Sequence, residues 1–466
     1  MRQLLLAIDE GTSSARAIVF SPKGEILGLG RQTISLYYPH PGWVEQDPEE
    51  LWEAQHAAIS EAFRTAGITP SDIAAVGITN QRETTIAWNP DTGKPYTRAI
   101  VWQDRRTAPL CEQLKPQEAY FRQRTGLVID PYFSATKIAW LLSEGGVPKS
   151  AQFGTVDAWL LYKLTGRTQT DVSNASRTLL FDIHTLRWEE ALMERFGLGG
   201  IRLPEVRPSG SFYGETLLWG GGMPIYAVLG DQQAALYGHG AFIPGQTKNT
   251  YGTGCFILKN IGTVPEPAPQ GILTTVAWQI EGEATVYAWE AAIFSAAAAL
   301  QWLEKVGLLH DYAELDSLSG QVGDVFFVPA FTGLGAPYWD PYARGLIIGL
   351  TRETDRQTIL LSALEAMAYQ SADALEAFGA VDTLFVDGGV SVNPYLMQLQ
   401  ADLIGRPVER PAHGEVTAWG VAALAGRMAG LNVEKLPIHE RWEPRHTAHK
   451  LHRWRAAVQR ALKWAQ

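Results

Sequence analysis

The sequence predicts an α/β protein with mixed sheets, folded as two domains of similar size. The chain has 466 residues, which is too long for one ordinary hydrophobic core. Segments with strand patterns alternate with segments at helical spacing throughout the chain. Each half also carries a strand that ends at a loop rich in Asp, Gly and Thr, which we interpret as a weak duplication of one domain type.

The first half opens with strand, loop, strand, turn and strand, followed by a helix. Residues 45–66 are predicted to be helical because their apolar residues recur at helical spacing. Asp47 can cap this helix, and Glu50 can complete a capping box. The strands predicted in this half cover residues 4–8 and 15–20, a run from Glu25, and residues 73–79 and 99–103.

The second half repeats the opening theme. Strands are predicted over residues 255–258 and 384–386, with a helix from about Asn393 and a C-terminal helix over residues 451–462. Glycines and a proline cluster over residues 238–245, where we place the boundary. The predicted domains are therefore residues 1–241 and residues 242–466.

Charge and composition exclude several classes of protein. The net charge is −10 and the pI is about 5.6, so a nucleic-acid partner is not expected. The cysteines, Cys111 and Cys255, are too far apart in sequence to suggest a metal-ligand pair or a disulfide framework. The apolar run near the N-terminus is too short for a signal peptide, and no run is long enough to span a bilayer. We expect a cytoplasmic protein without membrane insertion.

Three loops have the composition of phosphate-binding loops. They are residues 9–14, Gly252-Thr253-Gly254 and Asp387-Gly388-Gly389. Glycine permits tight turns that expose backbone N–H groups, and Thr and Ser add hydroxyl donors. Arg16, just beyond the first loop, can reach a phosphate. The P-loop pattern of other nucleotide-binding proteins is absent, so phosphotransfer here requires a different fold.

Several short motifs are spread along nearly the whole chain. They are Asp9-Glu10-Gly11-Thr12-Ser13, Asn80-Gln81-Arg82-Glu83-Thr84-Thr85, Ile100-Val101-Trp102-Gln103, Asp130-Pro131-Tyr132-Phe133-Ser134, Gly230-Asp231-Gln232-Gln233, and residues 249–256 and 331–340. In this order they resemble the FGGY carbohydrate kinases, most closely the glycerol-phosphorylating branch. The set formed by Arg82-Glu83, Trp102, Tyr132 and Phe256 is the more specific to glycerol. The resemblance places the polyol site and the first phosphate loop in residues 1–241 and the nucleotide site in residues 242–466.

The resemblance implies a fold and a reaction. The fold is two ribonuclease-H-like, or actin-like ATPase, domains whose mixed sheets are flanked by helices, with a cleft between them. The reaction is ATP- and Mg²⁺-dependent phosphorylation of glycerol to sn-glycerol 3-phosphate by direct in-line transfer. It would feed glycerol catabolism and lipid precursor supply. A homodimer or homotetramer is also implied.

The polyol site is expected to hydrogen-bond every hydroxyl of its substrate. Such a site rejects analogues strongly, because an analogue that lacks a hydroxyl leaves a polar group of the site unpaired. Arg82 supplies donors and Glu83 supplies acceptors, while aromatic rings pack the carbon edge. Asp231 is the candidate general base for the attacking hydroxyl. The complete predicted set is Arg82, Glu83, Trp102, Tyr132, Asp231, Gln232 and Phe256.

The nucleotide and metal residues follow from the loops and the resemblance. Asp9, through water, and Asp231 are the candidate magnesium ligands. The nucleotide and phosphate set is Gly11, Thr12, Ser13, Ser14, Arg16, Thr253, Ala297, Gln301, Gly389 and Asn393. The chain departs from the family at Glu10, where Gln is common, and at Ala291 and Ala297, which replace glycines of the helix that approaches the nucleotide.

Two alternatives stay open at this point. Kinases for ribulose, xylulose or gluconate share the phosphate loops, but they are not expected to carry the Asn80–Thr85 motif together with Trp102 and Phe256. An actin-like ATPase acting as a chaperone or switch would share the ATP loops as well. That function would not explain the Arg82, Glu83 and Tyr132 cluster, and the sequence shows no additional domain that could bind a peptide.

Overall fold

Two large mixed sheets, one from each half of the chain, form the framework. The computed structural model describes residues 3–316, 318, 322–445 and 450–466. The six-stranded first sheet contains β1 (Leu4–Glu10), β2 (Ser14–Phe20), β3 (Ile26–Thr33), β4 (Ile73–Asn80), β5 (Gly210–Thr216) and β6 (Met223–Gly230). The seven-stranded second sheet contains β7 (Thr247–Tyr251), β8 (Cys255–Gly262), β9 (Leu273–Trp278), β10 (Val286–Ile293), β11 (Leu384–Asp387), β12 (Val408–Pro411) and β13 (Ile438–Trp442).

Both sheets contain the same five-strand core. The first sheet has the order β5-β6-β4-β1-β2-β3, and the second has the order β9-β10-β8-β7-β11-β12-β13. The core omits β5 from the first sheet, and β9 and β13 from the second, so β3-β2-β1-β4-β6 matches β10-β8-β7-β11-β12. In each core the first three core strands along the chain are antiparallel neighbours, and the last two add to them in parallel. The duplication inferred from the loops is therefore a duplication of sheet topology.

Helices cover both sheets, and short strand pairs fill the connections. The helices are α1 (Pro48–Ala66), α2 (Ala108–Leu114), α3 (Glu118–Thr125), α4 (Ser134–Ser143), α5 (Val156–Thr165), α6 (Val172–Ala175), α7 (Glu190–Arg195), α8 (Asp231–Gly238), α9 (Ala297–Lys305), α10 (Arg356–Ala377), α11 (Pro394–Ile404), α12 (Val416–Met428) and α13 (Leu451–Ala461). The short pairs are Glu45–Gln46 with Ala99–Ile100, Ile86–Trp88 with Gln152–Gly154, Gln169–Asp171 with Glu205–Arg207, Phe181–Asp182 with Arg187–Trp188, and Phe326–Val328 with Leu346–Ile348. No helix in the described ranges combines the length and the apolar character needed to cross a membrane.

Helices α8 and α12 form a layer between the two sheets. One buried apolar cluster joins Leu5 of β1, Val421 of α12 and Leu258 of β8. The two helices cross closely, because a Cβ at Gly420 would lie 1.9 Å from the carbonyl oxygen of Ala234. This packing fixes α8, whose first residue is Asp231, relative to both sheets.

Most predicted elements are present, and four details of the prediction are wrong. The helix expected over residues 45–66 begins at Pro48, with Asp47 as its N-cap accepting a hydrogen bond from the Glu49 N–H. Glu50 does not complete a capping box, because its carboxylate accepts from the Ser35 N–H at 2.8 Å instead. The strand expected over residues 99–103 is confined to Ala99–Ile100. Ala291 lies in β10 and not in a helix.

The crossing of α8 and α12 predicts a large effect from one methyl group. We expect Gly420→Ala to lower the free energy of unfolding by about 1–3 kcal/mol, because the crowded backbone must move apart. Gly414→Ala is the matched control, since Gly414 has open space around its Cβ position. Chemical denaturation measures both variants, and equal stabilities would contradict the close crossing.

Candidate active site

A small cavity lies where the two halves of the chain meet. Its volume is about 150 Å³, smaller than the pockets that hold drug-sized ligands. Residues from both halves line it, and every residue predicted for the polyol site is among them. The lining residues are Thr12, Arg82, Glu83, Trp102, Tyr132, Asp231, Gln232, Thr250, Gly252, Thr253, Gly254 and Phe256.

A buried ion pair joins the halves at this cavity. The Arg82 guanidinium, at the end of β4, donates to both carboxylate oxygens of Glu290 of β10, at 2.6 and 2.9 Å. The side chain of Arg82 is 2% exposed and that of Glu290 is fully buried. Burial disfavours the charged form of Glu290, but the guanidinium groups of Arg177 and Arg82 outweigh it, so the pKa of Glu290 is lowered.

A second buried arginine completes the network and holds Glu83. Arg177 donates from Nε to Glu83 Oε1 at 2.7 Å and from Nη2 to Glu290 Oε1 at 2.9 Å. Glu83 has a φ of 59°, a left-handed conformation that is uncommon for a residue with a side chain. Because strained backbone of this kind concentrates at functional sites, the conformation marks the loop after β4 as one.

Asp231 lies at the first turn of α8 and faces the cavity. Its Oδ1 accepts from the Gln232 N–H at 2.8 Å and lies 3.2 Å from Arg82 Nε, while its Oδ2 accepts from Gln232 Nε2 at 3.0 Å. About a third of the side chain, 32%, stays exposed. Burial raises the pKa of Asp231, and Arg82 partly offsets this effect. A partly accessible carboxylate with a raised pKa has the properties of a general base.

Gly230 lets Arg82 reach this position. The residue precedes α8, and a Cβ there would lie 2.7 Å from Cδ of Arg82. Only a glycine leaves room for the arginine side chain to pass beneath the start of the helix.

Aromatic rings form the apolar wall of the cavity. The Trp102 ring meets Tyr132 edge-on at 5.8 Å between centroids and Phe256 at 5.9 Å. Its Nε1–H donates to Thr12 Oγ1 at 2.9 Å, and the Tyr132 hydroxyl accepts from Arg82 at 3.3 Å. The cavity thus offers an apolar face opposite a polar one, which suits the carbon edge and the hydroxyls of a polyol.

The first two predicted phosphate loops border the same cavity. The turn between β1 and β2 is closed by the Gly11 N–H donating to the Ser14 carbonyl at 3.0 Å, with Ser13 exposed. The turn between β7 and β8 is tied to the start of α9, because the Thr253 carbonyl accepts from the Ala296 N–H at 2.8 Å. Ala297 is therefore placed beside this turn at the first position of α9, and Gln301 lies exposed on the same helix.

The third loop packs against the second. Gly388 has a φ of 91°, and a Cβ there would lie 2.4 Å from the carbonyl oxygen of Tyr251. Gly389 is exposed at this turn. The Asn393 side chain caps α11 by accepting from the Leu396 N–H at 2.9 Å, and it also donates to the Leu315 carbonyl at 3.0 Å. Asn393 thus shapes the loop through contacts within the protein.

The candidate metal ligands, Asp9 and Asp231, are carboxylates, a ligand type that magnesium takes. Asp9 is buried, and its carboxylate is paired with Arg16, which also donates to Glu415 at 2.7 Å. Burial raises the pKa of Asp9, and Arg16 opposes this effect. Within the described ranges no three His, Cys, Asp or Glu side chains gather as a metal cluster. Magnesium takes few carboxylates and keeps several waters, so a magnesium ion does not require such a cluster.

Comparison with protein families accounts for both halves. The N-terminal domain of the FGGY family of carbohydrate kinases matches residues 4–238, and its C-terminal domain matches residues 247–429. This chain belongs to the FGGY family of carbohydrate kinases. The boundary at residues 241 and 242 remains a prediction of our own.

Individual FGGY relatives are similar over nearly their whole length. Glycerol kinase 2 of Thermotoga maritima is 48% identical, and glycerol kinase of Thermus brockianus is 49% identical; each comparison covers 99% of both chains. Among solved structures, Plasmodium falciparum glycerol kinase with ADP superposes with a TM-score of 0.86 at 31% identity, covering 98% of both chains. The expected ribonuclease-H-like fold with two domains is confirmed.

Three residues at or beside the cavity were not predicted from the sequence: Arg177, Glu290 and Lys248. All three are fully buried, and each contacts a predicted site residue. Glu290 could have been noticed as a lone carboxylate within the apolar strand β10, and Lys248 as a lone cation within β7. Burial of an unneutralised charge is costly, so such residues require partners elsewhere in the fold.

Glu10 is a buried carboxylic acid at the end of β1. Side chains alternate along a strand, so Glu10 points to the face of β1 opposite Asp9. It is fully buried, and neither carboxylate oxygen has a hydrogen-bond partner. Burial, with Asp9 adding to it, raises the pKa of Glu10 well above its ordinary value. Burial therefore opposes the ionised form of Glu10.

This buried carboxyl predicts a stability that falls with pH. The folded state holds the Glu10 proton to higher pH than the unfolded state, so stability is lost as pH rises above 4.5. We expect Glu10→Gln to raise Tm by roughly 2–4 °C at pH 8, which corresponds to about 1 kcal/mol in the free energy of unfolding of a large domain. Near pH 4 we expect no gain in Tm.

Calorimetry across pH measures this difference. Glu53→Gln is the matched control, because Glu53 is exposed on α1 and its loss should leave the pH dependence of Tm unchanged. A Glu10→Gln variant that is less stable than the parent at pH 8 would show that the ionised carboxyl has a stabilising partner.

Proposed function

We propose that this chain transfers the γ-phosphoryl group of ATP to a terminal hydroxyl of glycerol, giving sn-glycerol 3-phosphate. The observation that carries the proposal is the cavity of about 150 Å³, in which Arg82, Glu83 and Asp231 face an aromatic wall beside the loop at residues 252–254. Relatives named glycerol kinase, 48–49% identical over the whole chain, support the same activity.

Glycerol binding follows from the polar and apolar faces. The Arg82 guanidinium and the Gln232 amide supply donors, and the Glu83 and Asp231 carboxylates supply acceptors, so each hydroxyl finds a partner. The rings of Trp102 and Phe256 cover the carbon edge. An analogue that lacks a hydroxyl would leave a hydrogen-bonding group of the cavity without its substrate partner, and that penalty provides the specificity.

Transfer is direct between the two substrates. The terminal hydroxyl oxygen forms a bond to the γ-phosphorus while the bond from that phosphorus to the bridging oxygen of ADP breaks. The hydroxyl proton passes to the Asp231 carboxylate. The position of the cavity between two domains keeps bulk water, the competing nucleophile, away from the phosphorus.

The nucleotide lies along the three loops in this proposal. Gly11, Thr12, Ser13 and Ser14 with Thr253 surround the phosphates, Arg16 lies behind them, and Gln301, Ala297, Gly389 and Asn393 border the adenosine end. Mg²⁺, held through water by Asp9 and Asp231, would neutralise phosphate charge. A cytoplasmic location and a homodimer or homotetramer remain predictions from the sequence.

An ADP-release assay tests the function and the base together. We expect parental turnover to depend on glycerol, and to exceed turnover with xylulose, ribulose or gluconate. Asp231→Ala should lower kcat by about 10²–10⁴-fold, the usual contribution of general-base catalysis, without unfolding the protein.

Asp91→Ala is the control for loss of a carboxylate, because Asp91 is exposed in a turn away from the cavity. If the parent protein hydrolyses ATP at a rate that does not depend on glycerol, the alternative of an actin-like ATPase acting as a chaperone or switch is favoured. Near-normal turnover in Asp231→Ala would show that another group accepts the proton.

A further inference from the structure

Lys248 is a buried cation beside the cavity that the steps above leave unused. It lies in β7 and is fully buried. Its Nζ donates to Gln232 Oε1, to Thr250 Oγ1 at 2.9 Å and to the Phe256 carbonyl at 3.2 Å. Since an ammonium carries three hydrogens, every donor of Lys248 is used, and all three acceptors belong to cavity-lining residues.

The contact with Gln232 fixes which way that amide faces. An ammonium can only donate hydrogen bonds, so the oxygen of the Gln232 amide must point to Lys248. The amide nitrogen then points the other way and donates to Asp231 Oδ2 at 3.0 Å. Rotation of the amide by half a turn would set two oxygens against each other at Asp231.

The orientation of Asp231 depends on this amide. Its Oδ1 is held by the Gln232 N–H and by Arg82, whereas Gln232 Nε2 is the partner that the structure gives to Oδ2. We propose that Lys248 is a positioning residue for phosphoryl transfer, which locks the Gln232 amide and thereby holds the Asp231 carboxylate toward the substrate hydroxyl. This inference rests on the proposed function.

The surroundings of Lys248 keep it a donor at neutral pH. Burial lowers the pKa of Lys248 to about 8, and the Asp387 and Asp231 carboxylates oppose that effect. The ammonium form therefore predominates at pH 7. A neutral amine would retain a lone pair and would no longer impose one orientation on the amide.

Lys248→Met keeps most of the length of the side chain and removes its donors. We expect kcat for glycerol phosphorylation to fall about tenfold or more, part of the usual contribution of a base, with KM for ATP within about twofold of the parent. Lys259→Met is the matched control. Lys259 lies on the neighbouring β8 and donates to the Phe378 and Ala380 carbonyls outside the cavity, so kcat should stay unchanged.

A double-mutant cycle separates positioning from general damage. If Lys248 acts through Gln232, adding Lys248→Met to Gln232→Leu should lower kcat by less than about twofold further, because the link is already broken. Losses that multiply in the double variant, or parental kcat in Lys248→Met, would overturn the proposal.

Gln232→Glu provides a test that does not depend on the folding of Lys248→Met. Its carboxylate still pairs with Lys248 but cannot donate to Asp231, so a low kcat with a normal Tm is expected. A kcat equal to that of the parent in this variant would overturn the proposed role of the contacts from Lys248 through Gln232 to Asp231. Absence of glycerol-dependent turnover in the parent would instead overturn the proposed function, and this inference with it.

Discussion

The buried pairing of Arg82 with Glu290 is the interaction on which the site depends. It joins the end of β4 in the first domain to the middle of β10 in the second, inside a protein interior where neither charge meets water. Removing one partner from such a pair costs about 3–5 kcal/mol, because the other charge is left buried and uncompensated. The pair therefore holds the two domains in the one arrangement that forms the cavity.

The duplicated sheet explains why the phosphate loops converge. In each five-strand core the first two strands are joined by a tight turn, one at residues 11–13 and the other at residues 252–254. Helices α8 and α12 pack between the sheets, so the two turns border a shared cleft, and the start of α8 brings Asp231 to it. The cavity at this cleft is lined by residues from both copies.

The sequence predicted the groups that touch the cavity, because they occur in short motifs at the ends of strands. It did not predict the groups behind them. Arg82 and Glu290 are 208 positions apart, so no local pattern connects them. Local rules also failed where a distant group competed, as at Glu50, whose carboxylate is taken by the Ser35 N–H and not by its own helix. The resemblance placed Ala291 in a helix together with Ala297, but Ala291 lies in β10, and α9 begins only at Ala297.

The central claim is that glycerol occupies the cavity between the domains with one terminal hydroxyl directed at the nucleotide. A crystal structure of the chain with glycerol and a non-hydrolysable ATP analogue tests it most directly. We expect the terminal hydroxyl oxygen of glycerol to lie within roughly 2.6–3.2 Å of the Asp231 carboxylate and to face the γ-phosphorus beside the loop at residues 252–254. Glycerol bound elsewhere, or a γ-phosphate remote from Asp231, would contradict it.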